Sequence, residues 1–165
     1  MSEQKVFTIS RTLNAPRQLV WDVWTKEEHM KHWSGPKGVT IAYSKLDFRT
    51  GGSYHYCMKS PDGSEMWGKA NYIEITPIER VVHVQSFSNA EGDICPAPFP
   101  GKWPLKIHST VTFTDKGDST EVLVSWHPHE ALQEEVDYFH SMHSSMNGGW
   151  SGTFEKLSEY LTTLS

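Results

Sequence analysis

The sequence predicts an α+β fold in which an antiparallel sheet of six to seven strands packs against one long C-terminal helix. Three observations lead to this prediction. The middle of the chain, residues 39–126, repeatedly alternates polar and apolar side chains with the period of two typical of strands. Residues 16–32 carry apolar side chains at helical spacing, which predicts two short helices. The end of the chain has one helical stripe, made of Trp150, Phe154, Leu157, Leu161 and Leu164.

The first strand and the two short helices come from residues 5–32. Apolar and hydroxyl side chains alternate over residues 5–13, which predicts a strand. Pro16 suits the first turn of a helix that runs to residue 25, and Asn14 just before it is the predicted N-cap. A second short helix is expected over residues 26–32.

Four further strands are predicted over residues 39–48, 53–58, 65–75 and 80–88. Turn sequences separate them: a glycine pair at residues 51–52, the hairpin signal Pro-Asp-Gly at residues 61–63, and Pro77 after the fourth strand. In the third strand Tyr54, Tyr56 and Met58 alternate with more polar residues, so we expect these three to face inward.

Residues 89–104 interrupt the strands with four prolines and two glycines, which predicts a long loop of the kind that often forms a lid or a binding element. The sixth and seventh strands are predicted at residues 107–113 and 122–126. A helix is then expected from residue 130 to residue 164, with a kink at the Asn-Gly-Gly of residues 147–149.

Length and composition indicate one domain spanning residues 1–165. The net charge is −5 and basic residues do not cluster, which argues against a nucleic-acid partner. The sequence contains neither an apolar run of membrane-spanning length nor a signal peptide, so we expect a cytoplasmic protein with no membrane partner.

Four motifs, in this order, carry a resemblance to a known family: A-P-R-x-L-V-W-x-x-W-T, W-S-G-P-K-G, F-R-T-G-G-S-Y and G-G-W-S-G-T-F-E-K-L. Together they resemble the SRPBCC superfamily (START and birch-pollen-allergen-like proteins), in the branch of the heat-shock-protein-90 ATPase activator homologue C-terminal domain. The resemblance implies the helix-grip fold, a curved sheet around the C-terminal helix with a cavity between them. Residues 93–103 depart from the branch pattern and are expected to reshape the mouth of that cavity.

The resemblance and the composition of seven Trp, six Tyr and nine His favour a cavity for a small apolar or aromatic molecule. On the last helix, Phe139, His143 and Met146 recur at i, i+4 and i+7 and therefore share one face. We expect this face to point inward, with His140 pointing outward. The predicted ligand-binding residues are Trp33, Tyr54, Tyr56, Trp67, Phe87, Phe139, His143 and Met146.

No catalytic residue, metal site or cofactor is predicted. His127, His129, His140 and His143 do not have the spacing of a known zinc motif, and no nucleophile elbow, phosphate-binding loop or paired-cysteine motif occurs. Two alternatives to a ligand-binding protein remain: a chaperone-partner module related to the activators, and an enzyme of the cyclase or hydrolase type that uses the same cavity. We expect a monomer or a homodimer.

Overall fold

The computed structural model describes residues 6–35, 37–98 and 101–164. Within these residues seven strands and four helices follow one another. They are β1 (Phe7–Leu13), α1 (Arg17–Thr25), α2 (Glu27–Met30), β2 (Thr40–Leu46), β3 (Ser53–Lys59), β4 (Glu65–Thr76), β5 (Arg80–Phe87), β6 (Ile107–Asp115), β7 (Thr120–Pro128), α3 (Gln133–Ser141) and α4 (His143–Thr162).

All seven strands form one antiparallel sheet in the order β1-β7-β6-β5-β4-β3-β2. Neighbours in sequence are neighbours in the sheet except at β1, which pairs with the last strand so that Phe7 lies opposite Trp126. The ladder shifts register after Ile41 in β2 and after Tyr72 in β4, and such irregularities increase the local twist of a sheet. The predicted fold class, a helix-grip α+β fold with a curved antiparallel sheet, is confirmed.

One face of the sheet is buried because its side chains alternate. In β6 the buried residues are Ile107, Ser109, Val111 and Phe113, while each residue between them is only half-buried. Helix α4 covers part of this face with Phe154, Leu157 and Leu161, which are at most 5% exposed. This half of α4 forms a sealed core with the strands, as its apolar stripe predicts.

The apolar stripe of α4 is shorter than predicted. Trp150 is only half-buried and Leu164 is 37% exposed, so the sealed part consists of the three residues between them. Trp150 lies one turn before Phe154, where α4 leaves the sealed core and borders an open space. The indole therefore serves as a wall of that space rather than as core filling.

The long C-terminal helix is broken at a different residue from the one predicted. Met142 has φ −97° and ψ 5°, outside helical geometry, and divides α3 from α4. Residues 147–149 are helical throughout, so the helix is not interrupted there. Glycine lowers helix propensity but is compatible with helical dihedral angles, and the packing of the following residues outweighs that preference.

The start of α1 also differs from the prediction. Pro16 is the N-cap residue, with extended backbone angles of φ −67° and ψ 153°, and no side chain caps the helix, so Asn14 does not have the predicted role. Helix α2 is only four residues long, and position 5 of the predicted first strand lies outside the described residues.

The predicted loop after β5 is irregular in its described part. Ser88 pairs with Ile94 in a single bridge, and the Cys95 amide donates a hydrogen bond to the Phe87 carbonyl over 3.0 Å. Residues 99–100 of this loop lie outside the described residues. Its end returns to the interior, where Pro104 is almost completely buried.

Across the ranges that the structure describes, no helix combines the length and the apolar character needed to cross a membrane.

Candidate functional site

A cavity of about 450 Å³ lies between the inner face of the sheet and the first half of α4. Strands β3 to β7 supply one wall, and α1, α2 and α4 supply the other. Most of its surface is aromatic or aliphatic. Its volume falls within the range of roughly 300–1,000 Å³ that small-molecule sites have in proteins.

Tryptophans from three distant parts of the chain form one wall. The rings of Trp24 on α1 and Trp150 on α4 are nearly parallel, with centroids 6.2 Å apart, and Trp126 on β7 meets Trp150 edge-on at 5.7 Å. Trp33 packs against Trp24 at 4.5 Å and donates its indole N–H to the Val23 carbonyl over 2.9 Å. This wall offers flat apolar surfaces against which a planar ligand can stack.

The part of the cavity beside β3, β4 and β5, called here the tyrosine end, carries tyrosines and a histidine. The rings of Tyr54 and Tyr56 stack at 4.9 Å, and Tyr72 meets His83 edge-on at 5.8 Å. Burial raises the pKa of all three tyrosines, that of Tyr56 to about 12. Burial, and secondly the nearby His108, lower the pKa of His83 to about 4. All four side chains are therefore uncharged at neutral pH.

Four cavity-lining residues carry a buried polar atom without a hydrogen-bond partner among the described residues: Tyr54 Oη, His83 Nδ1, Ser86 Oγ and Trp150 Nε1. Buried polar groups in proteins are almost always hydrogen-bonded, and leaving one unpaired costs about 1–3 kcal/mol. None of the described residues that line the cavity is Asp, Glu, Lys or Arg. The lining therefore offers hydrogen bonds and apolar contact rather than ion pairs.

A lysine fixes the segment at one side of the cavity. The Lys156 ammonium donates hydrogen bonds of 3.0–3.1 Å to the backbone carbonyls of Ser34, Gly35 and Val39. Ser34 and Gly35 line the cavity, whereas Lys156 does not. Partial burial lowers the pKa of Lys156. Through these three bonds α4 holds the chain between α2 and β2 in place.

Most of the residues predicted to bind a ligand do border the cavity. Trp33, Tyr54, Tyr56, Phe87 and Met146 line it with inward side chains. Trp67 borders it as well, but its ring contacts Tyr43 and His55 at 5.4 and 5.2 Å. Trp67 lies opposite Cys57 in the β3–β4 ladder, so its side chain belongs to the outer face of the sheet.

The other two predicted residues, Phe139 and His143, lie beside the cavity, where they pack against other aromatic side chains and do not line it. Phe139 is fully buried, and its ring meets Trp103 at 5.6 Å and His143 at 5.3 Å. His143 also meets Phe7 at 5.6 Å, while His140 is exposed. The predicted orientation of these two histidines is thus the one observed, but neither Phe139 nor His143 lines the cavity.

Sequence reasoning missed several cavity residues. His83 and Gln85 share the inner face of β5 with Phe87, and the alternation of that strand was enough to include them. Trp126 follows Val122 and Val124 on the inner face of β7, so the alternation of that strand also indicated it. Trp24 had no such signal, because it reaches the cavity only through the packing of α1 against segments far apart in sequence. Trp150 was assigned to the sealed core and lies one turn outside it.

Other histidines lie on the outer face of the sheet. The rings of His108 and His127 stack at 4.6 Å, and His129 lies 6.0 Å from His108. Among residues 6–35, 37–98 and 101–164, no three His, Cys, Asp or Glu side chains are arranged to hold a metal ion.

Comparison with known proteins places this architecture in a family. The family described as activator of Hsp90 ATPase homolog 1-like protein matches residues 14–162. No curated protein matches the chain. A solved structure from Arthrobacter aurescens has a TM-score of 0.78 at 21% identity, with 96% of this chain and 87% of that chain covered. A protein from Nitrosomonas europaea has a TM-score of 0.77 at 20% identity, with 99% and 97% covered.

A third similar structure has a family name. The AHSA1 protein from Silicibacter pomeroyi has a TM-score of 0.74 at 14% identity, with 97% of this chain and 99% of that chain covered. Identities this low show a shared fold, while the family match extends over nearly the whole sequence. The chain belongs to the family of activator of Hsp90 ATPase homolog 1-like proteins, within the SRPBCC-type fold.

Proposed function

We propose that this protein binds a small apolar or aromatic molecule in the cavity between the sheet and α4. The observation that carries the proposal is the cavity itself, about 450 Å³ in volume, walled by tryptophans on one side and tyrosines on the other. Concave spaces of this size and composition are typical of sites for small organic ligands. Fold alone does not assign a ligand, so the argument depends on the lining.

An uncharged fluorescent probe, N-phenyl-1-naphthylamine, tests the proposal. We expect its fluorescence to rise on binding with saturation at one site, and we expect it to raise the melting temperature. A ligand at about 100 times its dissociation constant adds roughly 2.7 kcal/mol to the free energy of unfolding. Absence of saturable binding by this probe and by a panel of neutral aromatic molecules refutes the proposal.

A variant that fills the cavity locates the binding. Met146 lines the cavity and is only 8% exposed, so Met146→Trp places an indole in the ligand space. The matched control is Ser144→Trp, which adds the same side chain at an exposed position of α4. We expect probe binding to be lost only in Met146→Trp. Should that variant not fold, Ala70→Leu fills the same space from β4.

The family description favours a second candidate function, that of a chaperone partner. A member of the heat-shock-protein-90 class is the partner this description suggests. Two results would support this candidate: the purified protein stimulates the ATPase of such a chaperone, and the two proteins co-elute. If both are absent while the probe binds, ligand binding stands alone.

A further inference from the structure

We propose that Tyr54 and His83 form a hydrogen-bonding subsite inside the cavity for one hydroxyl group of an otherwise aromatic, uncharged ligand. This inference rests on the proposed function and specifies the class of molecule. It starts from two of the unpaired polar atoms that line the cavity, Tyr54 Oη and His83 Nδ1.

The sheet places the two residues on its inner face, on the two strands that flank β4. Tyr54 lies opposite Ala70 in the β3–β4 ladder, and His83 lies opposite Tyr72 in the β4–β5 ladder. Ala70 and Tyr72 are two residues apart on one face of β4, so their cross-strand partners Tyr54 and His83 both project to the inner side of the sheet. The small side chain of Ala70 leaves space beside Tyr54, and the ring of Tyr72 supports His83 edge-on at 5.8 Å.

Neither atom is paired within the described protein. Tyr54 is only 7% exposed, which leaves its hydroxyl little contact with bulk solvent. A polar atom that is buried and unpaired in a binding site can form a hydrogen bond to a ligand without first breaking one within the protein. Such atoms therefore fix the orientation of the ligand. Two such atoms at one end of an aromatic cavity therefore indicate where the polar group of the ligand lies.

The chemistry of the two atoms selects a hydroxyl. A phenol oxygen both donates and accepts, and a neutral imidazole nitrogen does one or the other according to the tautomer. A ligand hydroxyl is donor and acceptor at once, so it satisfies both atoms with either tautomer. A carboxylate at neutral pH only accepts, an ammonium only donates, and no described lining residue carries a charge to pair with either.

Three probes of one shape test the subsite: naphthalene, 2-naphthol and 2-naphthoate, each measured by displacement of N-phenyl-1-naphthylamine at neutral pH. We expect 2-naphthol to bind at least about 10-fold more tightly than naphthalene, a difference of roughly 1.4 kcal/mol, and 2-naphthoate to bind more weakly than 2-naphthol by a similar factor. Equal binding of naphthalene and 2-naphthol overturns the subsite.

Two variants assign that preference to the named atoms. Tyr54→Phe removes only the hydroxyl, and His83→Phe replaces the imidazole by a ring without nitrogen. Each is expected to reduce the preference for 2-naphthol over naphthalene to less than about threefold while naphthalene binding persists. Tyr43→Phe is the matched control, since it removes a phenol hydroxyl on the outer face and should leave the preference unchanged. A preference that persists in either cavity variant overturns the assignment.

The ligand-free protein supplies an independent readout. Because the Tyr54 hydroxyl has no partner, Tyr54→Phe should raise the melting temperature by about 2–4 °C. A lowered melting temperature contradicts the claim that this hydroxyl is unpaired. If N-phenyl-1-naphthylamine binds and the three naphthalene probes do not discriminate, the subsite fails and the proposed function stands. If no probe binds, both fail.

Discussion

A single methyl group added at Gly68 tests how the tyrosine end of the cavity is built. Gly68 lies opposite Tyr56 in the β3–β4 ladder, and a Cβ at this position would overlap the Tyr56 ring and hydroxyl. In Gly68→Ala the ring must leave the sheet and move into the cavity, away from its stack with Tyr54 at 4.9 Å. Overpacking of this kind destabilises proteins by about 1–3 kcal/mol.

The assay is urea unfolding at neutral pH, with thermal unfolding alongside. For a protein of this size, 1 kcal/mol corresponds to a shift of about 2–4 °C, so Gly68→Ala should lower the melting temperature by roughly 2–12 °C. The matched control is Gly148→Ala, the same change in α4 where a Cβ would meet no atom within 4 Å. There alanine should stabilise by about 0.5–1 kcal/mol, because it is the better helix former.

A double-mutant cycle makes the reasoning refutable. If overlap with Tyr56 is the cause, Gly68→Ala should be nearly neutral in a Tyr56→Ala background, because the ring it displaces is no longer present. A cost for Gly68→Ala that is unchanged in that background refutes the explanation. A destabilising Gly148→Ala would show that α4 is interrupted at residues 147–149 after all.

Three further predictions concern the core, the Lys156 contacts and pH. Leu157→Ala should destabilise by about 2–5 kcal/mol in urea unfolding because Leu157 is fully buried, whereas Leu164→Ala at the exposed end should change stability by less than about 1 kcal/mol. Lys156→Met removes the hydrogen bonds to the Ser34, Gly35 and Val39 carbonyls, so faster amide exchange should appear near Ser34 and Gly35 while the strands stay protected. Burial lowers the pKa of His83 to about 4, so the folded state resists protonation of this imidazole. The free energy of unfolding should therefore fall by up to about 3 kcal/mol as the pH is lowered from about 6.5 to 4. His83→Gln should flatten this part of the pH profile, and identical profiles for the two proteins would contradict the explanation.

The element order was predictable because each element has a local signal. Periods of two and of 3.6 residues identified the strands and helices, and turn residues separated them. The break at Met142 had no such signal, because a methionine inside a helical pattern carries no preference for ending a helix. Local preference also predicted a kink at residues 147–149, where tertiary packing keeps the helix continuous.

The candidate site was predictable to the extent that strand alternation defines it. The inward orientation of Tyr54, Tyr56 and Met58 followed from the alternation of β3. The face of Trp67 could also have been derived, since the hairpin pairs Met58 with Met66 and therefore sets Trp67 opposite Cys57. The inward orientation of Trp126 followed from the alternation of β7, but its contact with Trp150, and that of Trp150 with Trp24, could not be derived, because these contacts depend on how α1, α4 and β7 pack together.

The two halves of α4 differ in how the space beside them is filled, and this contrast supports the proposed binding site beside Trp150. The second half is sealed by Phe154, Leu157 and Leu161. Beside the first half, the cavity is bordered by small residues, Ala70, Ser109 and Gly149, where larger side chains would close it. Helix α4 thus seals one half of the core and borders an open cavity along the other, where the Trp24 and Trp150 rings present apolar surface. A neutral aromatic molecule that packs against these rings would remove that surface from water, and this burial is the source of the binding free energy that the proposed function requires.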